Sequence, residues 1–127
     1  MKLNYLLERC YMHHDSYELV RDFALSFPGI VESTSYGTPS FKLKNKLLAR
    51  LHEDGTTLVL KMDFDTRDLL MQLKPDVYYV TDHYMKYPYV LVKLDEVELE
   101  DLKDHLYTVW KANATNKMIR AYSLCDG

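Results

Sequence analysis

Tyrosine supplies the densest run of chemistry-bearing side chains in this sequence. Of eleven tyrosines in 127 residues, Tyr78, Tyr79, Tyr84, Tyr87 and Tyr89 fall between positions 78 and 89, together with His83 and Lys86. A tyrosine presents a flat apolar ring with a polar tip, which suits wet interfaces and stacking on bases or sugars. The competing explanation is core packing, because aromatic residues on the inner face of a strand are simply buried. That explanation should claim about half of the five, by the alternation of strand faces. Tyr84 and Tyr87 flank an expected loop, so His83, Tyr84, Lys86, Tyr87 and Pro88 form a candidate ligand or partner surface. His83 beside Asp82 or Tyr84 would also be the acid–base pair of any small enzyme built here, since histidine titrates near neutral pH.

Phosphate chemistry points to a different stretch. Lys42, Lys44, Lys46 and Arg50 fall in nine positions that contain no acid, and cations so spaced on a strand can meet a phosphate backbone. Asp95, Glu96, Glu98, Glu100, Asp101 and Asp104 form the opposite patch, with Lys103 alone among them. Charge runs usually do no more than keep a surface solvated. A net charge of −3 also excludes a strongly basic nucleic-acid binder, so only a local basic surface is in play.

Other chemistries lack their motifs. No serine sits in a G-x-S-x-G elbow, and Gly29, Gly37, Gly55 and Gly127 are too isolated for a phosphate-cradling loop. Cys10-x-x-His13-His14 has no partner pair at zinc-finger spacing. Asp63-x-Asp65-x-x-Asp68 opens like a calcium loop, but Asp68 stands where the loop needs glycine and Lys74 where it needs glutamate. Asp65 is instead expected to cap a helix, with Asp68 in its first turn. The expectation is no catalytic constellation, no metal and no cofactor.

The elements that would carry these residues follow from periodicity. A chain of 127 residues fits one domain able to bury a core without disulfides or metal. Leu3, Leu6, Leu7 and Cys10 suggest a short amphipathic N-terminal extension over residues 1–14. Asp15 and Glu18 form a capping box for a helix with Leu19, Val20, Phe23, Ala24 and Phe27 on its apolar face, stopped by Pro28-Gly29. From Phe41 to His52 the period changes to two, with a hairpin turn at Asn45-Lys46, and Thr56–Met62 continues as a strand. A meander of three or four strands is therefore expected between Ile30 and Met62. A second helix buries Leu69, Leu70 and Leu73, strands follow at Val77–Val80 and Tyr89–Leu94, and a last helix runs from about Glu98 to Asn113. The order describes an α+β fold, an antiparallel sheet with helices packed against it.

Phe27-Pro28-Gly29, Tyr36-Gly37-Thr38-Pro39-Ser40-Phe41, Leu58-Val59-Leu60-Lys61 and the run from Thr81 to Leu94 with its His-Tyr-x-x-Tyr-Pro segment resemble the MmcQ/YjbR-like family over about residues 15–120. The resemblance implies an α+β fold similar to that of type III secretion chaperones. It also implies a DNA-binding-like double-wing arrangement of strands, and it brings no catalytic residues. Lys42 to Lys46 would then sit on a hairpin tip and His83 to Pro88 on the loop into the last strand.

The expected function is that of a small cytoplasmic binding protein that contacts DNA through Lys42, Lys44, Lys46 and Arg50, with a ring of the tyrosine loop stacking. The alternative is a protein-interaction or homodimerisation module without a nucleic-acid role, and a small enzyme using His83 ranks third. No signal peptide and no membrane span are expected, because no apolar run reaches the length either requires.

Overall fold

The computed structural model describes residues 17–126. Six strands form one antiparallel sheet: β1 (Ile30–Ser35), β2 (Thr38–Leu43), β3 (Lys46–Leu51), β4 (Thr57–Lys61), β5 (Tyr78–Tyr79) and β6 (Tyr89–Lys93). Their spatial order is β1-β2-β3-β4-β6-β5. Helix α1 (residues 17–25) precedes the sheet, α2 (Phe64–Leu73) separates β4 from β5, and α3 (Leu99–Asn113) and α4 (Asn116–Asp126) close the described chain. The expected α+β class and the four-strand meander are both present. The proposed extension over residues 1–14 and the Asp15 cap lie outside the described residues.

Local chemistry accounts for the turns. The first two of the three meander hairpins have two-residue turns with positive φ at each central position: Tyr36 (55°) with Gly37 (79°), and Lys44 (51°) with Asn45 (69°). Such turns match the right-handed twist of the flanking strands. The second turn sits one residue earlier than Asn45-Lys46, because Leu43 pairs with Lys46 and a bulge at Phe41/Lys42 resets the register. Asp54 organises the β3–β4 turn by accepting from the amides of Thr56 and Thr57 and from the Thr57 hydroxyl at 2.7–2.9 Å.

The helices cover one sheet face. Val20, Ala24 and Phe27 of the first helical segment meet Phe41, Leu43, Leu58, Leu60, Val90 and Val92 of the sheet and Leu102, Leu106, Val109 and Trp110 of α3. Trp110 is fully buried and donates from Nε1 to the Pro28 carbonyl at 2.8 Å. Its ring lies 5.2 Å from those of both Phe27 and Tyr122, which fixes α4 against the end of α1. Helix α4 was not foreseen, since its weak apolar face depends on this aromatic cluster for partners. Gly29, at φ +84°, passes so close that a Cβ would lie 2.7 Å from Met118 Cε and 2.8 Å from Leu43 Cδ1.

Helix α2 departs from expectation at two points. Its N-cap is Asp63, whose carboxylate accepts from the Thr66 amide at 2.9 Å, while Asp65 stands in the first turn. The earlier aspartate wins because its extended backbone aims the side chain at the free amides. The inward positions are Arg67, Leu70 and Met71, whereas Leu69 and Leu73 remain 54% and 66% exposed. Among the described residues, no helix is long and apolar enough to cross a membrane.

Candidate ligand-binding face

The sheet face opposite the helices is defined by register. Arg50 pairs with Val59 and Val59 with Leu91, so all three side chains leave the sheet on the same side, joined by Ser40 and Tyr79. An uncovered face would leave these positions wet, yet Ser40, Val59 and Leu91 are at most 1% exposed. The connection between β5 and β6, residues 80–88, folds back over this face. Tyr84 from that loop places its hydroxyl 2.6 Å from Arg50 Nη2 on β3, two strands beyond β6.

Two buried arginines hold the loop. Arg50 is 5% exposed; its Nη1 donates to Glu53 at 2.6 Å, to Thr38 Oγ1 at 3.2 Å and to its neighbour's carbonyl at 3.4 Å. Its Nε is buried with no hydrogen-bond partner among the described residues. Burial opposes the charge, but Glu53 and Tyr84 together hold the guanidinium above its ordinary pKa. Arg67, on α2 and 4% exposed, aims Nη1 at the carbonyls of Tyr84, Met85, Tyr87 and Tyr89 at 3.0–3.4 Å. The loop also turns on its own backbone bonds, Tyr84 N to Thr81 O and Tyr87 N to Tyr84 O. Arg67 escaped the sequence reading, although a cation in the middle of the inward stripe of α2 was a signal for it.

The candidate residues divide accordingly. Arg50 is not a surface cation of the basic hairpin: its strand is internal and the tyrosine loop closes over it. Lys44 and Lys46 are exposed at the hairpin tip and Lys42 is half-buried, and none has a carboxylate partner among the described residues. His83, Lys86 and Tyr87 are exposed, Tyr84 and Pro88 are half-buried, and Tyr78 is core. His83 touches the rings of Tyr84 at 4.7 Å and Tyr87 at 6.1 Å between centroids, and forms no hydrogen bond with Asp82. Register separates the hairpin tip from the Tyr36-Gly37 turn and Glu53. The hairpin tip lies at the end of the sheet where β6 begins, whereas the Tyr36-Gly37 turn and Glu53 lie at the other end.

At that second end is a cleft of about 320 Å³ bounded by Tyr36, Arg50, His52, Glu53, His83 and Tyr84. Tyr36 is 79% exposed at positive φ, and its ring lies over the Arg50 guanidinium at 5.0 Å. Non-glycine residues held at positive φ are strained, and strain of this kind gathers at functional sites. A second cavity, about 410 Å³, lies between the start of α2 and α3 beside His105. The His105 ring is hydrogen-bonded to the Tyr78 hydroxyl at 2.7 Å. Burial lowers the pKa of His105, and burial raises that of Tyr78 to about 12. Among the described residues, no three histidine, cysteine or carboxylate side chains gather where they could hold a metal ion.

The family model for YjbR matches residues 25–112, a span from the end of α1 through the sheet, the tyrosine loop and nearly all of α3. The chain belongs to the YjbR family. Similar proteins include uncharacterised proteins of Mycobacterium tuberculosis and Mycobacterium bovis, each 37% identical over 54 residues. Those matches cover 42% of this chain and 42% of each relative. The crystal structure of Deinococcus radiodurans protein DR2400, described as a DUF419 domain, superposes with a TM-score of 0.64 over 82% of this chain and 85% of that one. At 23% identity that likeness concerns the YjbR fold alone.

Proposed function

We propose that this YjbR-family chain is a non-catalytic, cytoplasmic binding module that takes single-stranded nucleic acid at the end of its sheet where the β2–β3 hairpin tip lies beside the start of β6. The observation that carries this reading is the exposure of Lys44 and Lys46 at the hairpin tip, without carboxylate partners among the described residues, at the end of the sheet where Lys86 and Tyr87 return into β6. Unpaired bases can stack on Tyr87, which is 54% exposed, while the lysines meet phosphates. The acidic stretch from Asp95 to Asp104 would repel a long duplex more than a short strand.

Fluorescence anisotropy with labelled single- and double-stranded DNA tests the proposal. With Lys42, Lys44, Lys46 and Lys86 each meeting one phosphate, log K should fall with log salt at a slope of about −2.8, or roughly 50-fold between 50 and 200 mM. The Lys44→Glu/Lys46→Glu variant should lose this binding. Salt-insensitive binding, or binding that survives the double reversal, would place any nucleic-acid contact elsewhere.

A second reading rests on Leu69 and Leu73, neighbours one turn apart on α2 and more than half exposed. An apolar pair of this kind fits a protein partner or a second copy of the chain. Sedimentation of the full chain decides the dimer form of that reading, because a monomeric mass at high concentration removes it.

A further inference from the structure

We propose that the cleft beneath Tyr36 binds a phosphate monoester whose sugar also carries a planar base, the chemistry shared by a free mononucleotide and the 5′-phosphate end of a strand. The floor of the cleft is the Arg50 guanidinium, fixed by Thr38, the Leu51 carbonyl and Tyr84 and left with an unpartnered, buried Nε. A planar guanidinium held in this way is suited to the oxygens of a phosphate, and its preorganisation limits the entropy lost on binding.

The only carboxylate paired with Arg50 among the described residues is Glu53, at 2.6 Å. Its side chain is 60% exposed on the rim, against 6% for that of Arg50. Glu53 is thus a tethered anion that can swing into water when a phosphate takes its place. A buried arginine whose counter-ion stands at the mouth of a cleft differs from an ordinary structural pair, in which both partners are enclosed. His52, Thr81 and His83 add polar groups around the rim, and the exposed ring of Tyr36 over Arg50 offers a stacking face. The volume of about 320 Å³ suits a single small ligand rather than a polymer segment.

This inference does not rest on the lysine surface. The hairpin tip lies roughly 20 Å from Glu53 along β3 at the rise of an extended chain, farther than a mononucleotide reaches. Calorimetric titration of the full chain with AMP therefore reads the cleft, whereas strand binding and its salt slope read the lysines.

AMP should bind at least tenfold more tightly than adenosine and than inorganic phosphate. Glu53→Gln should tighten AMP about tenfold by removing the internal competitor, and Tyr36→Ala should weaken it about tenfold by removing the stacking face. Tyr36→Ala falls on an exposed side chain, and Glu53→Gln keeps an amide oxygen able to accept from Arg50 Nη1, so urea unfolding should show both variants folded before titration, which it would not for an Arg50 substitution. Equal affinities for AMP and adenosine, or a Glu53→Gln variant with unchanged AMP affinity, would overturn the proposal. A 5′-phosphorylated oligonucleotide that outcompetes its 5′-hydroxyl twin identifies the strand end as the source of the phosphate. Equal binding of the two strands alongside tight AMP binding identifies the free nucleotide.

Discussion

Replacing Arg67 with methionine keeps side-chain length and apolar volume on α2 but removes the donor that gathers four carbonyls of the tyrosine loop. Nη1 carries two protons, so about two of these contacts act as full hydrogen bonds at one time. Bonds to a charged donor contribute about 1.5–3 kcal/mol each, which sets a gross loss of roughly 3–6 kcal/mol. Swinging the loop outward returns some carbonyls to water, so the net destabilisation should be about 2–4 kcal/mol. That is a large share of the ~5–15 kcal/mol available to a domain of this size. Urea unfolding followed by the fluorescence of buried Trp110 measures the global loss. Tryptic cleavage after Lys86 measures the local one, because a protease must open the loop to reach that bond, and the rate should rise at least tenfold. If stability falls by less than about 0.5 kcal/mol and cleavage after Lys86 is unchanged, the loop's own backbone turns hold it and the arginine does not.

Three further outcomes follow from the same geometry. Tyr84→Phe should cost about 1–3 kcal/mol in urea unfolding, since it leaves the buried Arg50 guanidinium without its Nη2 acceptor. Gly29→Ala should lower stability by at least about 1 kcal/mol, because the alanine must hold φ +84° and push aside Met118 and Leu43; an unchanged melting temperature would mean that the α1–β1 corner yields freely. The depressed pKa of His105 means that the unfolded chain binds its proton more readily than the folded one. Its contribution is therefore complete above the unfolded value of 6.5 and is lost as pH falls through the lower folded value. Stability should decline as pH drops below 6.5, and His105→Gln should flatten that part of the profile; an identical slope in the variant would assign it to other groups.

Features set by near neighbours in the chain were legible in the amino-acid order. The two-residue period of the meander, the positive-φ turn around Asn45 and the stripe of Leu102, Leu106 and Val109 on α3 depend on residues within a turn or a hairpin of one another. The MmcQ/YjbR-like resemblance rested on such stretches and agrees with the matched family. Arg50 is the counter-example. Alternation along β3 put it on the polar side, and that was correct for the face but silent on what covers the face.

The cover is a loop 34 residues farther along, brought there by the antiparallel pairing of β6 with β4. The same long-range closure decides that Tyr78 is core and Tyr87 is exposed, that Arg67 is an inward residue, and that Leu69 and Leu73 face outward. Sequence pattern determined which residues alternate and roughly where the chain turns, because those preferences are backbone physics over a few residues, whereas the α2 cap fell to Asp63 rather than to Asp65. Only the tertiary structure decided which cations keep their water, because desolvation depends on atoms brought together from distant parts of the chain.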